Sequence, residues 1–323
     1  MGGIHTGARL APKRARGLKD AILFLVPSFV GFLVFTILPM VTLLFVSMTD
    51  WDGLSELALF SHPVGFMRDF FVGLANYRDI FFSSEFYQVL GNTLKYVVLY
   101  MPSMLVLSMG VALVLSSKIR GTGVFRVLYY IPVLTSWVAG SLIWKWVLSP
   151  EYGVINNLLG VFGIRGPSWL QSPQWAMVGI VIASVWKDMG YFGLMLLSGL
   201  QGINRQYYEA AQIDGAGRLR QFFRITLPLI ADNIKTQFTF WTIGCIGFFL
   251  WSRVFSVVPS DPTTITPASY MYDQIFGTTI GANTVSSAMN VGMGAAIGVV
   301  LCLITVAAMA VINLIFPKEK YEM

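Results

Sequence analysis

Apolar residues gather along this chain in long blocks separated by short polar stretches. Six blocks reach the roughly 20 residues that a helix needs to cross a bilayer. They run from Ala21 to Met48, Thr93 to Leu115, Val127 to Leu148, Trp175 to Leu197, Ile234 to Val258 and Val291 to Phe316. Each is expected to be helical, because lipid offers no hydrogen-bond partner to an open strand or loop. The pattern therefore predicts an all-α integral membrane fold of about six transmembrane helices. The first block is long enough to tilt, and Pro27 and Pro39 bend it or mark its ends.

Two segments between blocks are too long for simple turns. In the first, Thr49 to Asn92, Leu74, Tyr77, Ile80 and Phe81 recur at helical spacing and predict a short amphipathic helix on the outer face. The second, Pro259 to Asn290, is rich in Thr, Ser, Pro and Gly, and reads equally as a docking segment or a surface loop. In the sixth block Gly294 and Gly298 stand at GxxxG spacing, which predicts close helix packing within the chain.

Composition agrees with the membrane reading. Of 323 residues, 55% are hydrophobic and only 12% are charged, about half the charge of a soluble domain. The net charge of +6 does not point to nucleic acid, since the basic residues cluster between apolar blocks. Arg9, Lys13, Arg14, Arg16 and Lys19 precede the first block, Lys118, Arg120 and Arg126 follow the second, Arg205, Arg218, Arg220 and Arg224 follow the fourth, and Lys318 and Lys320 end the chain. The alternate segments hold few: Arg68, Arg78 and Arg165, with Lys95, Lys145 and Arg253 near span ends. By the positive-inside rule both termini lie in the cytoplasm. The first block is too long for a cleaved signal peptide and reads as an uncleaved signal anchor. The expected division is a basic cytoplasmic arm over 1–20, a six-span domain over 21–316 containing a cytoplasmic loop over 200–232, and a cytoplasmic tail over 317–323.

Little in the chain points to bond-breaking chemistry. Cys245 and Cys302 each sit inside an apolar block, and His5 and His62 are far apart, so no metal or disulfide framework is expected. No phosphate-binding G-x-x-x-x-G-K-[ST] loop is present; Leu197 to Gln201, "LSGLQ", lacks the nucleotide-binding context that would give it meaning. The exceptional polar residues are Lys187 and Asp188, near the middle of the fourth block, where each costs about 2.5–3.5 kcal/mol by insertion scales. They read either as part of a polar translocation pathway, with Tyr191 one turn on, or as charges paired with another helix or subunit. Asn92, Gln237, Trp241 and Arg253 are weaker pathway candidates.

The loop after the fourth block, "EAAQIDGAGRLRQFFRITLPLI" from Glu209 to Ile230, reads as two short helices around a glycine turn. Asn204 is placed to cap a helix over Tyr207 to Asp214, and Gly215 to end it. A second helix from about Arg218 puts Leu219, Phe222, Phe223 and Thr226 on one face and Arg220 and Arg224 on another, before Pro228 turns the chain. Small Ala210 and Ala211 admit a close surface, with Glu209 and Asp214 beside it.

This stretch resembles the cytoplasmic EAA loop of importer-type ABC transporter permeases. Glu209-Ala210-Ala211, three residues, Gly215, nine residues, then Ile225, Leu227 and Pro228 match that pattern at every position. "SMTDW" at 47–51, "FVGLANYRDIF" at 71–81, "NTLKY" at 92–96 and "RVLYYIPVLTSWVAGSLIWKWVL" at 126–148 resemble the first permease subunit of maltose- and glycerol-3-phosphate-type systems. After Val258 the chain departs, with "VVPSDPTTITP" where many relatives have Gly-Gly-Gly-Pro, which leaves the substrate open. The resemblance implies a type I importer permease in the bacterial inner membrane, forming part of the pathway for a sugar, oligosaccharide or polyol. It implies that the helix bearing Glu209 docks in a cleft of an ATPase subunit. It implies four kinds of partner: a second permease, two ATPase subunits, an extracytoplasmic binding protein and membrane lipid. The chain itself needs no cofactor, ATP and Mg belonging to the ATPases. The alternatives are another solute such as a phosphorylated glycerol, or a stand-alone secondary transporter.

Overall fold

The computed structural model describes residues 13–54, 62–117, 121–255, 261–277 and 289–316. Residues 1–12 of the basic arm, the tail 317–323, Lys118, Arg120 and the start of the divergent 257–267 segment lie outside them. The described chain is helical, with one isolated bridge between Thr49 and Phe71. The helices are α1 (Lys13–Phe32), α2 (Leu38–Val46), α3 (Pro63–Phe70), α4 (Ala75–Phe82), α5 (Ser84–Ser116), α6 (Thr122–Leu134), α7 (Trp137–Val147), α8 (Val154–Val161), α9 (Ala176–Gln201), α10 (Arg205–Ile213), α11 (Arg218–Gln221), α12 (Leu227–Leu229), α13 (Ala231–Ile246), α14 (Leu250–Phe255), α15 (Pro267–Phe276) and α16 (Val291–Ile315).

Two prolines shape helices without ending them. A proline removes one N–H and crowds the carbonyl four residues back. Before both Pro39 and Pro228 the helix widens by one residue, over Leu33–Ile37 and Phe222–Thr226. The Leu38 N–H reaches the Leu33 carbonyl and the Leu227 N–H reaches the Phe222 carbonyl, five residues back in each case. Ile22–Val46 is thus one apolar span, almost wholly exposed on this chain.

α5 starts earlier than predicted. Ser83 accepts the Phe86 N–H at 3.2 Å and begins a 33-residue helix that absorbs the end of the first long loop. In α4, Ile80 is buried and Tyr77 partly so, while Leu74 and Phe81 face outward. Asn76 docks that helix, its amide donating to the carbonyls of Ser47 at 3.0 Å and Thr49 at 2.7 Å. Gly294 packs on Ile275 and Gly298 on Met271 and Leu43, so this glycine pair serves contacts within the chain.

Contacts between helices fix the direction of each crossing. Along α5 and α9, Tyr100 meets Asp188 near the middle, and Ala112 and Leu115 meet Leu196 and Leu197 at the ends, so the two run parallel. Parallel neighbours require the intervening chain to return across the bundle. α13 runs back along α9, with Ile230 and Ile234 against Leu196 and Leu197, and Gln237 bonded to the Phe192 carbonyl at 2.8 Å. α16 reverses again, starting where Val291 bonds to the Trp51 carbonyl and ending where Phe316 accepts from Lys235. Over the described residues the chain therefore traverses the bundle six times.

Two of the six predicted blocks are not single helices. The third is α6 and α7, bent by 102° at Thr135 and Ser136. Thr135 Oγ donates to the Pro132 carbonyl at 2.6 Å and closes α6, while Ser136 Oγ accepts the Ala139 N–H at 3.1 Å and opens α7. The fifth begins at Ala231, stops at Ile246 and resumes as α14. Gly247 weakens the helix there, and the Thr266 hydroxyl takes the freed carbonyl of Phe248. Among the described residues, by length and composition alone, four helices suffice to cross a membrane, or five with the bent pair as one.

Candidate functional site

Both breaks face the same space. A cavity of about 590 Å³ lies between α5, the α6–α7 bend, α9 and the α13–α14 break. Aromatic rings make most of its wall. Tyr96 stacks on Tyr100 at 5.1 Å and on Phe248 at 4.1 Å, and Phe192 meets Trp241 edge-on at 5.4 Å. Trp137 and Trp251, also edge-on at 5.6 Å, close the side nearest the bend. Among the described residues Asp188 is the single charged one in this wall, and its Oδ2 accepts the Tyr100 hydroxyl at 2.9 Å.

Of the residues singled out in the sequence, Asp188, Tyr191 and Trp241 line the cavity. Lys187 points the other way. It is 3% exposed, and its Nζ donates to the carbonyls of Pro132 (3.2 Å), Val133 (3.4 Å) and Thr135 (2.5 Å). Gln237 is buried beneath the wall. Arg253 pairs with Asp273 and lies over the Tyr272 ring, and Asn92 ties α5 to the carbonyls of Pro262 and Ile265. Tyr96, Tyr100, Trp137, Phe248 and Trp251 were not anticipated. Their sequence signal is faint: Tyr96 and Tyr100 are one helical turn apart, and the other three flank the two breaks.

At the knob end, Asn204 Oδ1 caps α10 by accepting the Gln206 N–H at 3.0 Å. Gly215 ends it at φ 74°, with Ala216 N–H bonded back to the Ala211 carbonyl at 2.8 Å and Gly215 N–H to that of Gln212 at 3.0 Å. This double bond pattern is a Schellman cap. The Tyr208 hydroxyl bonds that of Thr226 at 2.8 Å, locking α10 to the widened turn. Glu209 and Arg205 form an exposed pair at 3.2 Å, worth about 0.3–0.5 kcal/mol at most. Ala210, Asp214 and Pro228 are exposed and Ala211 is half-buried. The predicted apolar face divides: Thr226 is buried and Phe222 partly so, while Leu219 and Phe223 stand in the open. Among the described residues, no group of acidic, His or Cys side chains could hold a metal.

A bundle of crossing helices around a solute-sized aromatic cavity, with a capped polar knob at one end, defines a membrane transport subunit. The chain belongs to the family of binding-protein-dependent transport system inner membrane components, which matches residues 72–321. It is 34% identical over 241 residues to the sulfoquinovosyl glycerol transport system permease protein SmoG of Agrobacterium fabrum, covering 75% of each chain. It is 32% identical over 235 residues to the trehalose/maltose transport system permease protein MalF of Thermococcus litoralis, covering 72% of this chain and 76% of that one. The fold is shared with a bacterial ABC transporter involved in import of the acidic polysaccharide alginate, at a TM-score of 0.74 and 22% identity over 93% of this chain and 96% of that chain. It is a multi-pass membrane permease of the sugar importer type.

Proposed function

We propose that this permease carries an uncharged sugar or oligosaccharide through the cavity at Asp188, into the cytoplasm. The wall carries the reading. Aromatic faces suit the C–H faces of a sugar ring, while the Asp188 carboxylate and the Tyr hydroxyls offer partners to its hydroxyls. A volume of about 590 Å³ falls within the roughly 300–1,000 Å³ of small-molecule sites. The relatives named for trehalose/maltose, diacetylchitobiose and lactose uptake support a sugar. Asp188, the single charge of the wall, disfavours a phosphorylated glycerol, since like charges repel at short range.

In this reading ATP is hydrolysed by separate subunits, with Mg there and not on this chain. The knob at Glu209 docks on one ATPase, and a second permease and an extracytoplasmic binding protein complete the transporter. The exposed Ile213, Leu219 and Phe223 give such a partner an apolar surface. A stand-alone secondary transporter would have no use for it. The test is uptake by cells expressing this chain with its partner transport subunits, using radiolabelled neutral disaccharides, a uronate and glycerol phosphate. Uptake of a neutral sugar that Trp241→Ala weakens about tenfold in KM, or about 1.4 kcal/mol, supports the proposal. Uptake confined to the anionic solutes overturns it.

A further inference from the structure

We infer that Lys187 is a positioning residue that clasps the bend of the third span and so fixes Trp137 in the cavity wall. The last carbonyls of any helix lack intrahelical donors, and in a bilayer core no water replaces them. α6 ends in that situation at Leu134. The Lys187 ammonium supplies a donor to the carbonyls of Val133 and Thr135 and shares that of Pro132 with Thr135, so one nitrogen reaches three carbonyls of the break. A cation there also meets the negative end of the α6 dipole. The same nitrogen lies 4.8 Å over the Trp137 ring, the first residue of α7. One group therefore holds the end of one helix and the start of the next.

A second hold lies close by. A Cβ at Gly190 would overlap the backbone carbonyl of Tyr129, so α9 and α6 touch backbone to backbone one turn from Lys187. α6 is gripped at both points, and the 102° turn into α7 follows from where its carbonyls are pinned. Trp137 then stands edge-on to Trp251, and both line the cavity. The adjacent lysine and aspartate thus divide their work, the first turned to the wall's frame and the second to its surface. Lysine suits the task because its three donors radiate from one point, whereas the arginine fork is planar. Only an effect on transport rests on the cavity being the solute path; the bend is measurable without a solute.

The experiment is pulsed electron–electron distance measurement on the full-length chain in liposomes, with Cys245 and Cys302 replaced by serine. Nitroxides are placed at Val127 on α6 and Leu142 on α7, both exposed. The unaltered clasp is expected to give one narrow distribution. Lys187→Met should broaden it and shift it to longer distance. Lys187→Arg, which keeps the charge but spreads its donors over a planar fork, should give a distribution narrower than Lys187→Met without full return to the unaltered one, and Asp188→Asn should leave it unchanged. If Lys187→Met does not accumulate in the membrane, Lys187→Gln carries the same comparison. A distribution unchanged by loss of the ammonium, or broadened equally by Asp188→Asn, overturns the inference.

Discussion

Gly190 and Gly215 respond to an added methyl by different routes. At Gly190 the new Cβ would meet the Tyr129 backbone, so α6 or α9 must move. At Gly215 the space is open and the cost lies in φ 74°. Overpacking of this kind costs about 1–3 kcal/mol, whereas a left-handed non-glycine residue costs about 1–2 kcal/mol. Gly190→Ala is expected to lower the thermal midpoint of the detergent-solubilised protein. Gly215→Ala should leave that midpoint in place and instead speed amide exchange at the end of α10. At this scale the sequence exposed which residues were costly but not where they pointed. Lys187 and Asp188 were conspicuous as charges in an apolar block, yet adjacent helical residues diverge by about 100°, and only the neighbours decide which one meets the cavity. Lys187 finds carbonyls that exist because α6 stops, and nothing near residue 187 in the sequence announces that.

Helix ends were legible where a cap is local and hidden where it is not. Asn204 and Gly215 bound α10 within two residues of the predicted limits, because each acts on its own backbone. Thr135 and Ser136 are equally local stop and start signals, but the apolar run from Val127 to Leu148 masked them. At the second break Gly247 is a local weak point, but the donor that takes the Phe248 carbonyl is Thr266, nineteen positions on from Gly247, which no local pattern reveals. The separate caps of α10 also make the knob separable. Glu209→Arg with Gly215→Pro is expected to abolish co-purification of the ATPase subunit, by reversing a docking charge and removing a turn that needs positive φ. Membrane insertion and far-ultraviolet helicity should remain, since Glu209 and Gly215 are exposed and lie outside the apolar clusters. Normal co-purification in the double variant would show the stretch to be an ordinary loop.

Six traverses in a bundle with parallel α5 and α9 commit the whole molecule to one arrangement of ends. The knob belongs to one side, and the α4–α5 corner to the other. With the native cysteines replaced, Phe82→Cys is expected to react with a membrane-impermeant maleimide in intact cells. Ile213→Cys should react only after permeabilisation. Both residues are more than four-fifths exposed, at 84% and 87%, so accessibility on this chain does not separate them. Labelling of Ile213→Cys in intact cells would overturn the orientation that the basic residues predict. The purified chain alone is expected to turn over no ATP, and nucleotide-dependent turnover would end its assignment as a subunit that relies on separate ATPases.

Ile230 is completely buried between Leu196, Leu197 and Ile234, and a single residue separates α12 from α13 there. Mechanically, that makes it a fulcrum. A helix rises about 1.5 Å per residue, so Cys245 stands about 22 Å along the arm, and a tilt of about 10° at the knob would sweep it by about 4 Å. The arm ends at Gly247, and beyond it α14 is moored to the opposite end of the bundle by the Ser252 hydroxyl on the Thr264 carbonyl. In the proposed reading, a small rotation outside the membrane would thus be delivered as a displacement of the α13 wall of the cavity.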